Sequence, residues 1–170
     1  MERIKTGVEG LDELVDGGVI KGEIILLAGS TGSGKTILST QFIYNGAKLY
    51  GEKGVYATFE EDEISLKRNM TNLGMDLEKL ETEGKVKIIG LQSMKEVGLN
   101  ANLDFILKSV KELEAERLVI DSLTAFLTGT GEKFEYRTLM HLFYKILKKM
   151  GCTTVMTCSV QQAPKLWDLE

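Results

Sequence analysis

Eight consecutive residues, Gly29-Ser30-Thr31-Gly32-Ser33-Gly34-Lys35-Thr36, carry the G-x-x-x-x-G-K-[ST] spacing of a phosphate-binding loop. The chemistry needs each residue type where it stands. Glycines let the backbone curl so that successive N–H groups face an anion, and a following helix adds the positive end of its dipole. Lys35 is expected to reach the β- and γ-phosphates as a cation, and the Thr36 hydroxyl to ligate Mg²⁺. An apolar strand over 23–28 precedes the loop and a helical pattern follows it, the order that this chemistry requires. Nucleotide binding is the expected outcome.

A metal held by Thr36 needs a carboxylate opposite it. The apolar run Arg117-Leu118-Val119-Ile120-Asp121-Ser122 has the Walker B form, with Asp121 at the strand end to hold Mg²⁺ directly or through water. Hydrolysis further needs a group that orients water. Val55-Tyr56-Ala57-Thr58-Phe59-Glu60-Glu61 is a second strand ending in carboxylates, and one of Glu60 and Glu61 is expected to polarise the attacking water. The spacing leaves open which. The bland alternative is that Glu60-Glu61-Asp62-Glu63 form the acidic first turn of a helix, which its dipole favours.

Such groups must be carried by a sheet. Runs over 23–29, 54–60, 86–90, 117–122 and 153–159 are short, rich in Ile, Val and Leu, and continuous rather than alternating, as in parallel strands covered on both faces. Amphipathic helices separate them. Leu103, Ile106, Leu107, Val110 and Leu113 form one apolar stripe; Leu139, Leu142, Phe143, Ile146, Leu147 and Met150 form another. Gly51, Gly74 and Gly151 read as helix stops. The pattern predicts an α/β domain with a mainly parallel five-stranded sheet.

The 170 residues are 43% hydrophobic and 27% charged, ordinary for a folded domain that needs no disulfides. The formal net charge of −4 argues against nucleic acid as a partner, because affinity there comes largely from Lys and Arg on phosphates. The longest apolar run, Ile24 to Ala28, is far short of a membrane span of about 20 residues. Met1-Glu2-Arg3 opens no apolar signal region. A cytoplasmic protein is expected. Cys152 and Cys158 bracket a predicted strand about 20 Å long, too far apart to bridge.

In combination these segments resemble a KaiC-type ATPase of the RecA/RadA family. The resemblance rests on Arg3-Ile4-Lys5-Thr6-Gly7, Gly10-Leu11-Asp12-Glu13-Leu14 and Gly17-Gly18-Val19 at the N-terminus, then on the loop and Gln41-Phe42-Ile43-Tyr44-Asn45-Gly46-Ala47. The paired glutamates, Ile120-Asp121-Ser122-Leu123-Thr124-Ala125 and Gly151-Cys152-Thr153-Thr154-Val155-Met156-Thr157 complete it. It implies a RecA-like core of strand order 3-2-4-5-1 over residues 1–160, with 161–170 as a tail. It implies ATP and ADP as ligands, Mg²⁺ as the metal, and a homo-oligomeric ring, hexameric in the family. Gly32, Ser33, Gly34, Lys35, Thr36 and Ile37 would wrap the phosphates. Glu60 and Glu61 match the catalytic pair, Asp121 the Walker B aspartate, and Thr71 and Asn72 the adenine side.

The chain departs from the family pattern at its C-terminal end. Only five strands are legible, so a C-terminally incomplete domain is expected, with the strand of the phosphate loop at a sheet edge unless a partner or the tail covers it. Cys158-Ser159 stand where clock proteins carry Thr-Glu. His141 is expected to face solvent, Arg137 to be a helix-surface residue, and Lys67-Arg68 either to line the nucleotide or to be solvated. Trp167 is assigned either to the exposed edge or to a contact. The leading expectation is slow Mg-ATP hydrolysis in an oligomer, with ATP-driven DNA-repair accessory and non-catalytic ATP sensor as rivals.

Overall fold

The computed structural model describes residues 1–91, 99–128 and 133–160. The tail 161–170, with Trp167, and the Arg137 side chain lie outside the described residues. The chain opens with a two-stranded antiparallel ribbon, β1 (Arg3–Ile4) and β2 (Val19–Ile20), enclosing the short helix α1 (Leu11–Leu14). There follow β3 (Ile24–Gly29), α2 (Lys35–Asn45), β4 (Gly54–Thr58), α3 (Glu63–Asn72), α4 (Leu77–Thr82) and β5 (Val86–Gly90). The remainder is α5 (Leu99–Leu113), β6 (Arg117–Asp121), α6 (Leu123–Thr128), α7 (Lys133–Met150) and β7 (Thr153–Ser159). Strands β3 to β7 form one parallel sheet in the order β3-β7-β6-β4-β5, the expected order read from its other edge.

Alternation along the strands splits the core in two. Val55 and Ala57 of β4 join Leu118 and Ile120 of β6 in a cluster closed by Ile106 and Val110 of α5 and Phe143 and Leu147 of α7. Tyr56 and Val119, their neighbours in sequence, belong to a second cluster with Phe42 and Ile43 of α2, Leu66 of α3 and Leu77 of α4. Each fully buried Leu, Ile or Phe contributes about 1.5–3 kcal/mol, so helices on both faces hold the sheet and fix the strand ends in space. Cys152 and Cys158 are free and buried, as their spacing requires.

Three expectations need correction. Leu142 is 53% exposed and Met150 is also exposed, so among the described side chains of the predicted α7 stripe it is Phe143 and Leu147 that are fully buried. Coverage on both faces holds for β4, β6 and β7 but fails for β3, whose Leu26 is 45% exposed. Strand β3 pairs with β7 alone among the described residues and forms the sheet edge. Finally, β4 ends at Thr58, short of Glu60. There the Thr58 hydroxyl donates to the Glu61 carbonyl (2.8 Å) and accepts from its N–H (3.1 Å), turning the chain out of the ladder.

The N-terminal segment is tied to the far end of α2. Asp12 Oδ1 accepts from both the backbone N–H and the hydroxyl of Thr6, each at 2.8 Å. Arg3 closes the ribbon on the carbonyls of Val15 (3.0 Å) and Gly18 (2.6 Å). Asn45, the last residue of α2, donates to the Gly7 carbonyl at 2.6 Å. The helix that carries the phosphate loop at one end is thus moored at the other.

Candidate functional site

The loop leaves β3 at Gly29 and enters α2 at Lys35, with Gly34 at φ +86° as the N-cap. Gly34 supplies the left-handed turn that aims the first α2 N–H groups into the loop. A Cβ on Gly29 would lie 2.5 Å from Ser33 Oγ, so a larger residue there would have to displace the Ser33 hydroxyl inside the loop. Lys35 Nζ donates to the carbonyls of Gly29 (3.0 Å) and Ser30 (2.9 Å), folded back across the loop it belongs to. An ammonium with three protons held by two neutral carbonyls is placed to exchange them for an anion, because its charge is attracted more strongly by a charged phosphate oxygen than by a neutral carbonyl.

Asp121 ends β6 beside this loop, 6% exposed, and three hydroxyls converge on it. Oδ2 accepts from Thr36 Oγ1 (2.8 Å) and from Tyr56 OH (2.7 Å), and Oδ1 from Thr157 Oγ1 (2.5 Å). Burial first, and then the charge of Asp121, push the Tyr56 phenol well above its ordinary range, which keeps it a donor. The peptide between Asp121 and Ser122 is cis.

The acidic run divides its labour residue by residue. Glu60 reaches the loop cleft and accepts from Ser122 Oγ, whose oxygen in turn accepts from the Ala125 N–H at 3.1 Å in the first turn of α6. Glu61 turns the other way, onto Asn69 Nδ2 of α3 at 2.5 Å. Asp62 is the N-cap of α3, accepting from Ser65 N at 2.9 Å, and these bonds hold its carboxyl below the usual range. Glu63 accepts from Gly90 N at 2.7 Å. The helix-start reading therefore describes Asp62, while Glu60 has a different address.

Thr31, Gly32, Gly34, Lys35, Thr36, Ile37, Glu60, Asp121, Ser122 and Ser159 line one cleft of about 310 Å³. Gly29, Ser30 and Ser33 belong to the same loop without lining the cleft. Thr71 and Asn72 stand apart: they border a second cleft of about 410 Å³ with Ile64, Lys67, Arg68 and Glu78, between α3 and α4. Lys67 pairs there with Glu81. His141 is exposed. Tyr56, Thr157 and Ser122 escaped sequence reading. A tyrosine and a threonine inside apolar strands read as core filling, and only the parallel register sets both next to the end of β6.

The donors suit a hard cation. Thr36 and Asp121 offer oxygen alone, and among the described residues no cluster of three His, Cys, Asp or Glu side chains could hold a metal without help. Mg²⁺ is characteristically bound by one or two protein oxygens together with substrate phosphates, and the loop is where those phosphates would lie.

Known proteins give an independent comparison. The family model described as the KaiC ATPase matches residues 4–166. A protein of Thermotoga maritima named UPF0273 is 34% identical over 97% of this chain and 73% of its own length. The circadian clock oscillator protein KaiC of Parasynechococcus marenigrum is 31% identical over 92% of this chain but only 32% of its own. The crystal structure of a KaiC-like protein from the archaeon Pyrococcus horikoshii superposes with a TM-score of 0.84 at 40% identity, over 94% of this chain and 71% of that one.

Proposed function

This chain belongs to the KaiC family of ATPases, and from that premise we propose that it binds Mg-ATP across the α2 N-terminus and hydrolyses it slowly, within a homo-oligomer. The observation that carries the proposal is the single cleft onto which Lys35, Thr36, Glu60 and Asp121 all open.

The loop N–H groups and Lys35 bind the phosphates, Lys35 giving up the carbonyls of Gly29 and Ser30 to do so. Thr36 and Asp121 hold the cation, which supplies neutralisation of charge on the β- and γ-oxygens. Glu60, rather than Glu61, orients the attacking water and accepts its proton, because Glu60 faces the cleft and Glu61 faces Asn69. Thr71 and Asn72 keep a part in the adenine side only if a neighbouring subunit or the nucleotide bridges the two clefts.

The deciding experiment measures Mg-ATP hydrolysis per subunit against protein concentration. A per-subunit rate that rises with concentration is expected, since a site completed between subunits works only when they meet. Glu60→Gln should lower the assembled rate at least about 100-fold, the usual worth of a positioned base, with Glu61→Gln within a few-fold of wild type. Turnover unchanged by Glu60→Gln sinks the assignment. Tight Mg-ATP binding with background turnover at every concentration would instead make the protein an ATP sensor.

A further inference from the structure

We propose that Tyr56 and Thr157 are positioning residues for the metal site: a two-sided hydroxyl clamp that holds the Asp121 carboxylate so that Thr36 presents its lone pairs, not its proton, to the cation. The inference rests on the ATP-binding reading above and deepens it.

A buried carboxylate with unfilled acceptor sites is costly, and Asp121 is nearly inaccessible at the end of an apolar strand. Its solution is geometric. Strand β4 supplies Tyr56 from one side of β6 and strand β7 supplies Thr157 from the other, because β6 lies between them in the sheet. Neither oxygen of the carboxylate is left without a protein hydroxyl. The torsion of the carboxylate is therefore set by two neighbouring strands rather than by its own rotamer preference.

Proton bookkeeping then gives Thr36 its orientation. A hydroxyl has one proton and two lone pairs, and Thr36 places its proton on Asp121 Oδ2. Its lone pairs are left for a cation. Tyr56 likewise places its proton on Oδ2, and its oxygen also lies 3.2 Å from Ser39 Oγ of α2, whose own hydroxyl donates to the Thr36 carbonyl at 3.1 Å. Ser39 and Thr36 are consecutive turns of the same helix, so the phenol bridges the aspartate to the helix that carries its partner. Without the phenol, the carboxylate regains its rotation and Thr36 loses a fixed acceptor.

The test titrates Mg²⁺ against the affinity for a fluorescent ATP analogue, with a parallel measurement in EDTA. Tyr56→Phe should raise the half-saturating Mg²⁺ concentration about tenfold, the usual loss when an outer-shell partner of a metal ligand is removed. Its affinity in EDTA should stay within twofold of wild type, since the loop is untouched. Thr157→Val should behave like Tyr56→Phe and Thr157→Ser like wild type, a pair that keeps the test open if Tyr56→Phe fails to fold by circular dichroism. A half-saturating Mg²⁺ within twofold of wild type in a folded Tyr56→Phe or Thr157→Val overturns the clamp. So does an affinity loss of equal size with and without Mg²⁺, the signature of a merely structural residue. Wild-type protein that binds no analogue under either condition overturns the ATP-binding reading, and the clamp with it.

Discussion

Among the described residues Arg117 is the largest fully buried side chain, a whole guanidinium beneath the N-terminal segment. It is paired with Glu52 and donates to the carbonyls of Lys5 (2.6 Å), Thr6 (3.2 Å) and Phe42 (2.8 Å), with its Cζ 4.5 Å from the centroid of the Phe42 ring. Burial pulls its pKa down and Glu52 opposes that pull, which leaves the group charged at any ordinary pH. Removing the partner of a buried charge costs more than the pair was ever worth. Glu52→Gln should therefore lower unfolding stability by about 3 kcal/mol, read from the urea midpoint at unchanged slope. A loss under about 1 kcal/mol would mean that the three carbonyls alone suffice. Asp62 makes a smaller, pH-dependent contribution. Its carboxyl is depressed in the folded state, so its stabilisation is complete above the unfolded value near 4 and disappears as pH falls through the folded value. Asp62→Asn keeps the cap but not the titration. The drop in melting temperature from pH 7 to pH 3 should be smaller in that variant, and an identical drop would remove Asp62 from the acid limb.

Among the elements, α2 shows most clearly what a sequence motif can and cannot convey. The loop, the strand before it and the helix after it were all legible from glycine spacing and apolar runs, because phosphate chemistry tolerates few residue types. The continuation of α2 as a π-helical segment over Gly46–Tyr50 was not legible. Its first residue packs against Arg117, far along the chain. A Cβ on Gly46 would lie 2.5 Å from Arg117 Cδ and Nε. Helix propensity alone favours Ala at this position by about 1 kcal/mol, whereas forcing a guanidinium out of a closed site costs about 1–3 kcal/mol. Packing wins, so Gly46→Ala should be net destabilising. In the Arg117→Met background the same substitution should lose its penalty or stabilise, a coupling that chemical denaturation of the four proteins would measure. Simple additivity would show that the glycine answers to something other than Arg117. The N-terminal R-x-x-T-G pattern belongs to the same lesson: its residues were recognisable by resemblance, but their reason, mooring the far end of α2, is tertiary.

At the scale of the whole molecule, alternation of strand and helix was enough to predict a parallel α/β sheet, and the two buried cysteines offer a way to ask how that sheet opens. Cys152 precedes β7 and its thiol is pushed up to about 12, chiefly by burial. At pH 8 a thiol with that pKa is thiolate about one time in ten thousand, against roughly a quarter for an ordinary cysteine. Cys158 is also buried and raised, but it sits across from Ala28 of β3, the edge strand with the exposed Leu26. Edge pairing opens at lower free energy than the centre of a sheet, because one side of the strand has no ladder to hold it. Native protein treated with an excess of a thiol reagent at pH 8 should therefore label in two phases. Cys158 should react first, through partial release of β3, with a weak dependence on urea. Cys152 should follow with a urea dependence equal to that of global unfolding, since its burial ends only when β6 and β7 separate from α7. Thiol-by-thiol assignment comes from the Cys158→Ser and Cys152→Ser variants. Simultaneous labelling of both residues with the global urea slope would mean that β3 is as firmly held as the central strands, and that its outer edge is covered in solution.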